Sequence, residues 1–475
     1  MNNKFISNFI SLATGSGLNI IIGLLTTPII TRLVSPNDYG NFSLFTMYSN
    51  LVLMFLVLGL DQSFVRWFYK NDDVKYKSDL LYNCIKIPIG ICVMMLVLLL
   101  IGVFWNNNEY ICGENLVYLV FFFTVFIALI NRFSFLVVRL QYKAKSLSSL
   151  LVAQKVIYVI SVILFSIVLK RYFFLILIIS NFLSLVIVTA ISIVLEKDIW
   201  RFRKVKYRHN NLDFIKYGFP LMISSSINVI FQSADRYVIG IYGTNSDVGI
   251  YASALSIINI FSIIQTSFNT IWMPTAIEHY EKEKEDKQFY ANVNQIITVL
   301  MFILGLSLIL IKDVIVLFLG EKYREASFIL PFLIFHPIMY TISETTVVGI
   351  YFKKRSKMQV IVAIVSCVAN IVGNIILVPL LGSKGAAIST GVSYIIFFAL
   401  RTHLANRLYY IDFKLKKFYV TTFLVIIYAA LNSFYTSGIW SVFIYIVSCS
   451  FIFILYKDVL INGLNFMKKY IRKKI

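Results

Sequence analysis

The sequence predicts an all-α integral membrane protein of about fourteen transmembrane helices, built as two parallel-repeat six-helix lobes plus a C-terminal helix pair. Three observations support this fold class: a strongly apolar composition, a series of span-length apolar windows and an internal repeat. Hydrophobic residues make up 59% of the 475 residues and charged residues only 14%, and the mean hydropathy is +0.80. Such a composition excludes a soluble domain with a solvated surface.

The chain is strongly basic, with 44 Lys and Arg against 23 Asp and Glu, a net charge of +21. In a soluble protein this excess would suggest a nucleic-acid partner. Here the basic clusters lie between apolar windows, which is typical of cytoplasmic loops that contact anionic membrane lipids. We therefore expect membrane lipids as partners and no nucleic acid. The five cysteines are odd in number and lack metal-like spacing, so neither a disulfide framework nor a zinc site is predicted.

Apolar windows long enough to cross a bilayer, about twenty residues each, recur along the whole chain. They lie near 9–31, 40–60, 80–104, 116–138, 149–169, 173–195, 214–242, 249–276, 291–311, 326–351, 358–380, 385–405, 418–436 and 439–456. The first window lacks a small-residue cleavage site and is therefore predicted to be a helix that stays in the protein, not a signal peptide.

The distribution of positive charge predicts the orientation. With the N-terminus inside, most Lys and Arg fall in cytoplasmic loops, including the basic segment 196–216. Shifting the count by one helix would place Lys353, Lys354 and Arg355 outside, against the positive-inside rule. We therefore expect both termini in the cytoplasm. Even the longest loop, near 196–213, is too short to contain a soluble catalytic domain.

Shifting the sequence by 209 residues reveals a weak internal repeat. The shift aligns Phe5 with Phe214, Asn19 with Asn228, Asp38 with Asp247, Gly40 with Gly249 and Asn50 with Asn259. A repeat of six helices gives both copies the same orientation, the parallel plan of transporters whose substrate site lies between the halves. We therefore predict an N-terminal lobe at 1–212, a C-terminal lobe at 213–412, and an extra helix pair with a basic tail at 413–475.

Three segments carry a recognisable family pattern: TRLVSPNDYGNFSL at 31–44, ADRYVIGIYGTNSDVGIYASAL at 234–255 and NIILVPLLGSKGAAISTGVSY at 374–394. With them the chain resembles the polysaccharide and O-antigen flippase family of the multidrug/oligosaccharidyl-lipid/polysaccharide exporter superfamily. The resemblance implies alternating access between two lobes and export of undecaprenyl-diphosphate-linked oligosaccharide to the outer leaflet of a bacterial plasma membrane. It also implies polysaccharide polymerase and chain-length machinery as partners.

The third segment also has a direct physical interpretation. Gly382, Gly385, Ala386 and Ala387 are small residues at a helix–turn–helix, where two backbones approach closely. Pro379 cannot continue the hydrogen-bond ladder and is predicted to mark the end of the preceding helix.

Polar residues follow one face of several spans, at helical spacing. They either line the transport pathway or hydrogen-bond neighbouring helices. The candidate substrate contacts on the seventh, eighth and eleventh helices are Asn228, Gln232, Asp235, Gln265, Asn269, Asn370 and Asn374.

Cationic residues inside spans are candidate contacts for a diphosphate. Arg236, deep in the seventh helix, is the strongest candidate for a central anion contact, and Arg32 lies near the outer end of the first. Lys86, Arg132 and Lys155 are predicted to form a basic inner vestibule; the alternative is that each long side chain extends to lipid headgroups.

Glu344 is a carboxylate well inside the tenth predicted span. It is our candidate for binding a coupling H⁺ or Na⁺, and the alternative is a local hydrogen bond to Thr341 or Thr345. We expect no cofactor. The chain has no GxxxxGK[ST] phosphate loop, which argues against a built-in ATPase.

Three other functions fit the sequence less well than a polysaccharide flippase. A multidrug exporter usually has twelve helices, and the extra pair here favours polysaccharide. A lipid II flippase is expected to have several arginines on its first two helices, and the first helix here offers only Arg32. A glycan polymerase needs catalytic groups clustered on an outer loop, but the four histidines are scattered. We therefore predict a transporter and not an enzyme.

Overall fold

The computed structural model describes residues 23, 25–105, 112–202, 211–436 and 438–458. The described chain is helical, and eleven of its helices are long and apolar enough to cross a membrane. This confirms an all-α multi-pass membrane protein. Most of the predicted first span, including Gly15 and Asn19, lies outside the described residues; its end, 25–33, is helical.

The chain divides into two compact units, Met1–Ser233 and Ala234–Ile475. The helices of the first are α1 Pro36–Val57, α2 Leu60–Trp67, α3 Val74–Trp105, α4 Cys112–Leu140, α5 Ala144–Leu169, α6 Phe173–Leu195 and α7 Lys197–Trp200. The division falls within α8, Asn211–Tyr242.

The helices of the second unit are α9 Asn245–Ile258, α10 Ser262–Lys282, α11 Lys287–Leu310, α12 Lys312–Val316, α13 Ala326–Leu333, α14 Phe335–Thr346, α15 Val348–Phe352, α16 Lys357–Leu381, α17 Ser383–Leu408, α18 Leu415–Phe434 and α19 Ile439–Leu455. A 3₁₀ turn, Glu321–Tyr323, precedes α13. The last helix, α19, is apolar but shorter than the candidate spans.

In the first unit, the break between α1 and α2 packs directly on α8. Leu58 and Gly59 both have positive φ, 52° and 71°, a conformation that strongly favours glycine. The Gly59 backbone also approaches Gly218 so closely that a Cβ on Gly59 would lie 2.1 Å from the Gly218 carbonyl oxygen. The Ser63 hydroxyl adds a hydrogen bond to the carbonyl of Phe214, 2.6 Å long. This junction therefore needs the two glycines.

The centre of the second unit is the interrupted helix α13–α14, whose apolar window is 83% buried. It packs against α9, α11, α17 and α18. In a bilayer such packing comes mainly from dispersion contacts and interhelical hydrogen bonds, since lipid is as apolar as the side chains. Polar groups on α14 are therefore held away from lipid.

The α16–α17 hairpin confirms the close approach predicted at Gly385. A Cβ there would lie 2.2 Å from the carbonyl oxygen of Leu377. The prediction for Pro379 was wrong, because Pro379 lies inside α16, which continues to Leu381. The helix ends instead at Gly382, whose φ of 57° reverses the chain.

The predicted eighth span, 249–276, is not one continuous helix. Residues 259–261 form a turn between α9 and α10. There the N–H groups of Ile260 and Phe261 bond to the carbonyls of Ile257 and Ile258, three residues back. Such tighter bonds end the α-helical ladder before α10 begins.

Candidate functional site

The first unit contains an open polar cavity of about 580 Å³ between α1, α2, α4, α5 and α6. Its size falls within the range of small-molecule sites, about 300–1,000 Å³. The polar residues that line it are Thr46, Ser49, Asn50, Asp61, Gln62, Thr124, Asn131, Arg132, Arg139, Gln154 and Asn181. So many polar groups at span depth indicate a solvated or ligand-binding space.

An ion pair joins α2 and α4 at this cavity. Arg132 donates to Oδ2 of Asp61 from Nε (3.0 Å) and from Nη2 (2.5 Å), and Gln62 donates to the same oxygen (3.1 Å). Asp61 is 3% exposed, whereas the Arg132 side chain is 42% exposed. The pair is therefore close to neutral as a unit. Asp61 was missed from sequence because it follows the predicted second span directly.

The predicted basic vestibule is only partly assembled. Arg132 lines the cavity together with Arg139, while neither Lys86 nor Lys155 does. Lys86 donates to Asn83 over 2.7 Å, and the Lys155 amine lies against Gly23. The structure therefore does not bring the three predicted cations into one cavity. Arg32 is exposed.

In the second unit, Asp235 is the centre of a buried hydrogen-bond network. Its Oδ1 accepts from Asn370 (3.0 Å) and Asn374 (2.7 Å). Its Oδ2 accepts from Thr390 (2.7 Å) and from Tyr251. All five residues are buried, and the four donors share the two oxygens of the carboxylate. Direct contact between Asp235 and a substrate would require these donors to move.

One acceptor in this network, the amide oxygen of Asn374, is not used. Among the described residues, Asn374 Oδ1 is buried without a hydrogen-bond partner, although its Nδ2 donates to both Asp235 and Asn370. A buried amide oxygen beside a carboxylate is an oxygen ligand of the kind that hard cations prefer. A cation bound here would use Asn374 Oδ1 and would replace one of the donors on Asp235.

The predicted polar stripe of the seventh helix lies in two environments. Asn228 and Gln232 are exposed, Arg236 is half-buried and Asp235 is buried. On α10, Gln265 and Asn269 are half-buried. The substrate contacts proposed from these side chains stay predictions.

Glu344 on α14 has a partner that sequence reasoning missed. Arg401 of α17 donates from Nη1 to Glu344 Oε1 over 2.8 Å and to the Ser343 hydroxyl over 2.7 Å. Thr341 and Thr345 donate instead to backbone carbonyls of their own helix. The threonine alternative for Glu344 was therefore wrong. Arg401 lies in the last turns of the predicted span 385–405. A cation inside that window was the sequence signal for a buried partner of Glu344.

Comparison with known proteins points to one group of membrane proteins. The family model described as polysaccharide biosynthesis protein matches residues 5–278. A relative from Haloferax volcanii, described as the probable low-salt glycan biosynthesis flippase Agl15, is 21% identical over 43% of this chain. That match spans 44% of the relative's length.

Solved transporters share the fold. A structure of the lipid II flippase MurJ in an inward closed conformation has a TM-score of 0.69 at 16% identity, covering 95% of this chain and all of MurJ. An inward-facing multidrug resistance MATE family transporter of the MOP superfamily has a TM-score of 0.60 at 15% identity, covering 82% and 95%. At these identities the likeness shows the fold alone.

Proposed function

Because the chain belongs to the polysaccharide biosynthesis protein family, we propose that it is a flippase for lipid-linked oligosaccharides. It carries undecaprenyl-diphosphate-linked repeat units from the inner to the outer leaflet by alternating access. The observation that supports this most is the polar cavity of about 580 Å³ within a unit otherwise built from apolar spans. A hydrophilic headgroup needs such a space to cross the bilayer core, where unsatisfied polar groups are costly.

The proposal includes coupling to an ion gradient, with H⁺ or Na⁺ as the ion. Glu344 was the predicted binding residue, but Arg401 already offsets its charge, so an ion would have to displace that guanidinium. The four side chains that hydrogen-bond Asp235 are neutral. Asp235 with Asn374 Oδ1 is therefore the stronger candidate for the coupling site.

The proposed setting is a bacterial plasma membrane, with both termini in the cytoplasm, as the positive charges of the loops indicate. A polysaccharide polymerase and chain-length machinery would receive the exported units. In the proposed orientation the cytoplasmic ends of α2 and α4 face the leaflet in which lipid-linked precursors are made. The lipid-linked precursor would therefore enter the cavity from the cytoplasmic side.

The test is flipping of a fluorescent undecaprenyl-diphosphate oligosaccharide in proteoliposomes, with pH and Na⁺ gradients imposed separately. We expect flipping above the rate of protein-free liposomes, accelerated by one of the two gradients. Parallel assays use fluorescent lipid II and a cationic drug. Flipping of lipid II or drug transport, without flipping of the oligosaccharide lipid, would contradict the proposal and reassign the protein to that substrate.

A further inference from the structure

We infer that the cavity of the first unit is a saccharide-binding subsite. It binds the sugar of the transported lipid and not its diphosphate. This inference deepens the proposed function and rests on it for the physiological ligand. It starts from three amide side chains that line the cavity, Asn50, Gln154 and Asn181. Each belongs to a different helix, α1, α5 and α6, so the three approach the space from different directions.

These amides are available to a ligand. Among the described residues, no hydrogen bond is made by the side chain of Asn50, Gln154 or Asn181, and none of the three is fully buried. Thr124, which also lines the cavity, is 2% exposed, and its hydroxyl has no hydrogen-bond partner in the described chain. A buried polar atom left unpaired costs about 1–3 kcal/mol. The cavity thus has unused hydrogen-bonding capacity on several walls.

The chemistry of the lining fits sugar hydroxyls. An amide both donates and accepts, as a hydroxyl does, so each pair can exchange two hydrogen bonds. Asp61 adds a carboxylate to the lining. Its Oδ2 accepts hydrogen bonds from Arg132 and Gln62. Its Oδ1 accepts none from the described residues and can accept from a sugar hydroxyl. Phe135 also lines the space and offers an apolar surface to the C–H face of a pyranose ring.

The charges of the lining fit a diphosphate poorly. Arg132 is committed to Asp61, which leaves Arg139 as the one excess positive charge among the lining residues. A diphosphate is favoured by several convergent cationic donors. The cavity volume, about 580 Å³, has room for a mono- or disaccharide. The site would therefore bind one end of the glycan.

The test measures binding of free sugars to the purified full-length protein in detergent by saturation-transfer difference NMR. The probes are glucose, N-acetylglucosamine, glucuronic acid and inorganic pyrophosphate. We expect saturable binding of at least one sugar, weakened about tenfold by Gln154→Leu and by Asn181→Leu, the loss of one or two good hydrogen bonds. The matched control is Gln141→Leu, an amide of the same unit that does not line the cavity; it should bind as wild type.

Three results would overturn the inference: no saturable sugar binding, sugar binding that neither variant weakens, or displacement of the sugar by pyrophosphate. Each of these results comes from a binding measurement and does not depend on transport. A protein that flips the oligosaccharide lipid but binds no sugar at these amides refutes the subsite and keeps the proposed function. A protein that binds sugar through Gln154 and Asn181 but flips no lipid keeps the subsite and refutes the flippase.

Discussion

Arg401 and Glu344 form a buried ion pair between α17 and α14, with 2.8 Å between Nη1 and Oε1 and exposures of 3% and 2%. The guanidinium also lies over the rings of Tyr340 and Phe397, at 5.6 and 5.3 Å from their centroids. Both charges are thus satisfied inside the most buried part of the second unit. The pair explains how a carboxylate is tolerated at this depth.

Removing one charge of this pair should destabilise the protein more than removing both charges. Glu344→Gln leaves the Arg401 charge uncompensated, so we expect a loss of about 3–5 kcal/mol. The double variant Glu344→Gln/Arg401→Gln should recover most of that loss, as measured by a double-mutant cycle on unfolding in detergent. Transport by the stable double variant separates the two roles. If it keeps the wild-type rate and gradient dependence, Glu344 is structural; a loss of gradient dependence would restore it as the coupling residue.

Asp235→Asn should abolish acceleration of flipping by the favourable ion gradient while leaving slower, gradient-independent flipping. An amide carries no charge, and it offers one acceptor oxygen where Asp235 offers two to Asn370, Asn374, Thr390 and Tyr251. The measurement is the proteoliposome rate with and without the gradient. Asp198→Asn, at an exposed position, is the control. Unchanged gradient dependence in Asp235→Asn would exclude this carboxylate as the coupling site.

Arg236 remains the predicted central anion contact. Lysine keeps the charge but cannot make two parallel hydrogen bonds to a phosphate, so Arg236→Lys should slow flipping more than its preserved charge suggests. Arg236→Ala should slow it further. Rates are compared in proteoliposomes at equal protein content. A wild-type rate in Arg236→Ala would refute the contact and assign the residue to helix packing.

The glycine contact in the first unit gives a stability prediction. Gly59→Ala places a methyl group against the Gly218 carbonyl in a backbone with positive φ. We expect a destabilisation of about 2–4 kcal/mol, since overpacking costs about 1–3 and the conformation about 1 more. Gly90→Ala is the matched control, because its Cβ would meet no atom within 4 Å. Equal thermal unfolding of the two variants would argue against the backbone contact.

The orientation can be tested by cysteine labelling of a variant lacking the native cysteines. We expect single cysteines at 196–213, at 353–357 and at the C-terminus to react only after the membrane is permeabilised. A cysteine at 105–115 should react from outside. Reaction of an external reagent at 353–357 in intact cells would contradict the fourteen-helix orientation.

The sequence by itself determined that this chain crosses the membrane repeatedly and which polar residues sit inside its spans. Both properties are local: the free energy of inserting a span sums over about twenty consecutive residues. Breaks inside a span were harder to predict. The turn at 259–261 and the positive φ at Leu58 depend on packing that the apolar pattern does not record.

Only the tertiary structure decided which polar groups meet. Arg132 and Asp61 are 71 residues apart, Glu344 and Arg401 57, and Asn374 and Asp235 139. At bilayer depth each such group must find a partner or a cavity, because water is absent. Sequence can therefore show that a partner must exist. Which residue it is depends on which helices lie side by side and how each is rotated about its axis, and that is a property of the whole packed unit.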